Sequence, residues 1–201
     1  SVANFAKFAN MSGKPMQTIT KEARAAVVAA EKENGVRLDI NKTLDETGKV
    51  TGQIAAQLGG NPAKIAKAVA TAKQFGMELE KVAAAGKQLL SFEESINAEL
   101  EAELLTGKNL NLERARLAAL TGDFETLTKE INKNVGTFAD FSKMNVLQQD
   151  ALAKSVGMTT DELSDQLLAK ANLEQLAQEA RAGGDEELAR QLEARSAQES
   201  F

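Results

Sequence analysis

Five glutamates crowd into eleven positions of this chain: Glu93, Glu94, Glu99, Glu101 and Glu103. On a helix Glu99 and Glu103 stand i,i+4 on one face. Helical bundles build paired-metal carboxylate sites from such spacings, but those sites also draw on Glu-x-x-His pairs. This chain has no histidine and no cysteine. It therefore lacks the commonest general base near neutral pH, the commonest transition-metal ligand and any thiol nucleophile. An acid pair for sugar hydrolysis needs carboxylates opposed across a cleft, which spacing along one helix does not supply. The cluster reads as a solvated or partner-facing acidic surface. The stretch DINKTLDE begins like a calcium loop with Asp39, Asn41 and Thr43. Leu44 then stands where the loop requires glycine, and Val50 where it requires glutamate. Gly48, Gly52, Gly59 and Gly60 never fall in a phosphate-loop order. The expectation is a chain that is not an enzyme, with no catalytic residue, no bound metal and no cofactor.

One stretch has the layout of a nucleic-acid reader. ALAKSVGMTTDEL, residues 151–163, sets Ala153, Gly157 and Leu163 where a helix-turn-helix wants a small residue, a turn glycine and a buried apolar side chain, with Leu152, Val156 and Met158 in the neighbouring apolar slots. A duplex-binding motif over 147–170 is thus the alternative function. Against it, the leading helix would carry Asp161, Glu162 and Asp165 before its first cation, Lys170. Phosphate binding is driven mainly by cations. Thr159 and Glu162 have a simpler use as a capping box, with the acids favoured by the helix dipole.

The elements that carry these residues are expected to be helical throughout. Hydrophobic residues make up 43% of the 201, aromatic residues only 4%, and there are two prolines. Composition dominated by alanine, leucine, glutamate and lysine favours helix, and no strand-like alternation is found. The predicted fold is all-α and multi-helix, with one long helix of about 28 residues, shorter helical hairpins and an elongated form. The organisation expected is an N-terminal basic helical region 1–60, a main helical domain 61–182 containing the long helix 78–105, and a C-terminal acidic helix or tail 183–201 after Gly183-Gly184. Thr18 or Thr20 caps a first helix that Gly35 ends. Signals weaken over 36–60, and Asn61-Pro62 starts the next helix strongly.

The long helix carries the sharpest pattern. Val82, Ala85, Leu89, Phe92, Ile96, Leu100 and Leu104 step by three or four residues, a continuous apolar stripe roughly 42 Å long if the helix is unbroken. Because Glu99 occupies the position a strict heptad would fill with an apolar residue, any supercoil tends to an eleven-residue period, straight or slightly right-handed. Leu89, Phe92, Ile96, Leu100 and Leu104 are expected to pack against another helix, within the chain or across a symmetric homo-oligomer. Phe92, Phe124, Phe138 and Phe141, with Met144 and Met158, are expected to fill gaps between helices.

Charge is uneven. Residues 1–74 hold 11 Lys+Arg against 6 Asp+Glu, residues 75–105 hold 2 against 7, and residues 106–201 hold 11 against 16, which together give the net −5. That asymmetry permits attraction between subunits. No stretch approaches the roughly 20 apolar residues that span a bilayer, and the start SVANFAKFANMSGKP lacks a signal-peptide core. ATAKQFGM, residues 70–77, is echoed by ALAKSVGM, residues 151–158, with five of eight residues shared at an offset of 81. The echo reads as one solution to ending a helix, reached twice.

The run QLLSFEESINAELEAELLTGKNLNLERARLAALTGDFETLTKEI, followed by FSKMNVLQQDALAKSVGMTTDEL, resembles segments of bacteriophage tail tape-measure proteins. The likeness covers about half of the chain. It implies a structural protein of the virion, located in the phage tail, whose partners are other copies or other virion proteins. Full tape-measure proteins are much longer, so the resemblance also implies a fragment, an ordered portion or a separate virion protein sharing the module. It carries no active residue onto this sequence.

Overall fold

The computed structural model of the chain describes residues 6–34 and 38–182. Those residues form twelve α-helices and no strand, as the composition predicts. Gly35 and the expected tail 183–201 lie outside the described residues. By internal contacts the chain divides into two compact units: Ser1–Gln74 with Glu78–Glu80 and Leu173–Phe201, and Phe75–Met77 with Lys81–Asn172.

The first unit contains α1 (Ala6–Ser12), α2 (Met16–Asn34), α3 (Ile40–Lys49), α4 (Gly52–Gln57) and α5 (Pro62–Gln74). Helices α2 and α3 both pack on α5, and α3 also meets α2. Ten of the thirteen residues of α5 are buried, four of them alanines, whose small side chains let neighbouring helices approach closely. Its start follows expectation: Asn61 Oδ1 accepts from the N–H groups of Ala63 and Lys64. The start of α2 does not. The helix begins at Met16 directly after Pro15, and Thr20, expected as a cap, lies inside it with its hydroxyl donating to the Met16 carbonyl. Pro15 suits a helix entrance because its missing N–H removes one orphan donor. The quasi-calcium stretch is α3: Asp39 is its N-cap, accepting from Lys42 N–H at 3.0 Å. Lys73 is buried, and its ammonium lies 2.6 Å from the Glu46 carboxylate. That pairing answers the desolvation a buried cation would otherwise suffer.

The second unit holds α6 (Leu79–Leu89) from Lys81 onward, α7 (Phe92–Thr106), α8 (Glu113–Thr121), α9 (Phe124–Val135), α10 (Phe138–Phe141), α11 (Val146–Ser155) and the first half of α12 (Thr160–Ala182). The stripe expected on a single helix of about 28 residues is instead carried by two helices, of 11 and 15 residues. The break falls at Leu90-Ser91. Ser91, at the N-cap position of α7, leaves the helical region with ψ 75°, and its N–H turns back to Gln88 O in a tight last turn. Ser91 makes no side-chain cap bond; the apolar periodicity by itself cannot register a break in the helix at this point.

The echoed octets correspond in three dimensions further than in sequence. Gly76 and Gly157 both adopt left-handed backbone, φ +72° and +77°, and Met77 and Met158 after them are both buried. At the second corner Gly157 N–H donates to Lys154 O and Met158 N–H to Ala153 O, a Schellman termination. Gly76 rests on Gln166 and Ala169 of α12, while Gly157 rests on Ala85 and Gln88 of α6. Residues 85 and 166 share the offset of 81, as do 88 and 169. Each glycine therefore seats on the helix that follows the other glycine, a reciprocal arrangement like an isologous contact inside one chain. The similarity is thus a pair of interlocked corners, more than two helix endings that happen to match.

A Cβ at Gly157 would lie 2.6 Å from Ala85 O, against 3.4 Å from Gln166 O for one at Gly76. Gly157→Ala is expected to cost about 3 kcal/mol, from left-handed strain plus overpacking against backbone, and Gly76→Ala about 1–2 kcal/mol from strain alone. Urea denaturation of the two variants checks the order.

Candidate interaction surface

The glutamate cluster separates into two roles. Glu99 accepts from Leu112 N–H at 2.9 Å and is in ion-pair contact with the Arg116 guanidinium; Glu103 accepts from Leu110 N–H at 2.7 Å. Arg116 Nε also donates to Ser95 Oγ at 2.9 Å, and its Nη2 to Ser95 O. The i,i+4 pair thus stitches α7 to the segment entering α8, using carboxylates to satisfy backbone donors that helix α8 leaves without partners at its start. Arg116 and Glu99 are both largely buried. Glu93, Glu94 and Glu101 remain exposed.

Of the predicted packing residues, Val82, Ala85 and Leu89 are fully buried within the fold. Phe92, Ile96, Leu100 and Leu104 are not: their exposures are 49%, 45%, 58% and 85%. The stripe therefore divides at the Ser91 cap into a part that closes the fold and a part that faces outward. Leu112 bonds Glu99 while Arg116, one turn later, bonds Ser95, so α8 runs antiparallel to α7. At about 100° per residue, Phe92, Ile96 and Glu103 share the flank of α7 nearest α8, and Leu120 and Leu117 lie on the outer side of Arg116. Leu117 and Leu120 are exposed. Phe92, Ile96, Leu100 and Leu104 on α7 and Leu117 and Leu120 on α8 are thus exposed apolar side chains on two helices joined by the Arg116–Glu99 pair.

Leu117 and Leu120 escaped the sequence reading, although their i,i+3 spacing puts them off the face formed by Leu112, Ala115 and Ala118, all buried. Val146 and Leu147 at the start of α11 are also exposed. Gln148 of the same turn donates to Leu105 O at 2.7 Å, which places that apolar pair at the C-terminal end of α7.

The corner with the nucleic-acid layout is well packed: Leu152, Ala153, Val156, Met158 and Leu163 are all buried. Its capping box is formed, with Glu162 Oε2 accepting from Thr159 N–H and Oγ1 at 2.9 Å each and Glu162 N–H donating to Thr159 Oγ1 at 3.2 Å. These bonds hold the Glu162 carboxyl below the ordinary glutamate range, with Lys81 adding a smaller pull. The leading end of α12 thus keeps its charge. Lys154, the cation on the preceding helix, is engaged by Asp150 at 2.6 Å, and Lys170 bonds Asn132 Oδ1 at 3.1 Å. No described helix is long and apolar enough to cross a membrane.

Comparison with protein-family models, curated proteins and solved structures found no match. The surface is therefore interpreted from its own geometry.

Arg116→Ala should destabilise by about 3 kcal/mol, because it strands the Glu99 carboxylate in a largely dry position. Pairing it with Glu99→Gln should recover part of that loss in a double-mutant cycle, as seen by chemical denaturation. Acid should act through Glu162. Its depressed folded value means the stability it contributes is complete above the unfolded value and lost as pH falls through the lower folded one. Glu162→Gln should flatten the melting temperature against pH below about pH 4.5, the ordinary glutamate value.

Proposed function

We propose that this chain is a non-enzymatic structural protein that works through helix–helix packing and self-association. The observation that carries the reading is the outward half of the stripe. Four large apolar side chains, Phe92, Ile96, Leu100 and Leu104, are held in solvent by a helix that buried polar bonds fix in place. Isolated exposed leucines are ordinary, but an aligned set flanked by Leu117 and Leu120 is the pattern of an interaction surface. The resemblance of residues 88–163 to tape-measure segments supports a place in a phage tail virion, among other copies or other virion proteins. Duplex binding through 147–170 is the less favoured reading, since the leading end of α12 presents Asp161, Glu162 and Asp165 and the cations of that corner are already paired.

Sedimentation of the wild-type chain should reveal self-association at micromolar concentration. Because Phe92 and Ile96 are exposed, Phe92→Ser with Ile96→Ser should abolish that association while shifting monomer stability by no more than about 0.5 kcal/mol per site. A wild type that stays monomeric, or duplex affinity that drops steeply with added salt, would overturn the proposal. Tail genes flanking the reading frame, and recovery of the protein from purified tail particles, are the expected outcomes for the virion assignment.

A further inference from the structure

We draw no further inference here: the strongest candidate, the exposed apolar face of α7 formed by Phe92, Ile96, Leu100 and Leu104, goes no further than the self-association proposed above, since nothing in the structure shows which surface covers it.

Discussion

Two glycines set against two helix backbones hold the second unit in its form. Gly157 approaches Ala85 so closely that no side chain fits between them, while Gly76 rests on Gln166 at close to ordinary contact distance. Both positions require left-handed backbone, and at Gly157 glycine meets a steric and a conformational demand at once. Because the contacts are reciprocal, a change at one corner alters the seat of the other. The corners fix the line of α6, and hence which way the chain faces when it leaves Leu89 for the Ser91 cap.

Past that cap a different interaction governs. Arg116, Glu99 and Ser95 form a largely buried polar joint between α7 and α8, with Glu99 and Glu103 also satisfying the backbone N–H groups of Leu112 and Leu110. Buried charges of this kind add little net stability compared with well-packed apolar groups, but removing one partner is costly. Their consequence here is orientation. With the polar flank of α7 committed inward, Phe92, Ile96, Leu100 and Leu104 are left exposed. The same commitment divides the dense glutamate cluster: two members serve as structural acceptors and Glu93, Glu94 and Glu101 are exposed.

Much of the architecture was legible in local signals. Asn61-Pro62, the Thr159–Glu162 box and the apolar positions of the 151–163 corner all act as their residue types and spacing require, since caps and turns are decided by neighbours in the chain. Where reading failed, a competing local interaction won. Ser91 interrupted a stripe whose periodicity ran unbroken through it, Pro15 opened α2 ahead of the threonines, and Asp39 nucleated α3 in a region of weak signal. The seven predicted packing residues were a uniform set in sequence, yet three line the interior and four the surface. Leu117 and Leu120 were missed because exposure on a short helix depends on which of its faces the rest of the fold covers.

The sequence by itself determined that this protein is helical, that it lacks histidine and thiol chemistry, that its charge is segregated, and that a line of large apolar residues runs along 82–104. Those properties follow from composition and from spacings of three and four, which need no knowledge of what packs on what. Only the tertiary structure decided which part of that line is core and which is surface, that Glu99 and Glu103 are fasteners, and that the echoed octets interlock. Each of these depends on residues brought together from distant positions, and burial is a property of that meeting, not of any segment alone.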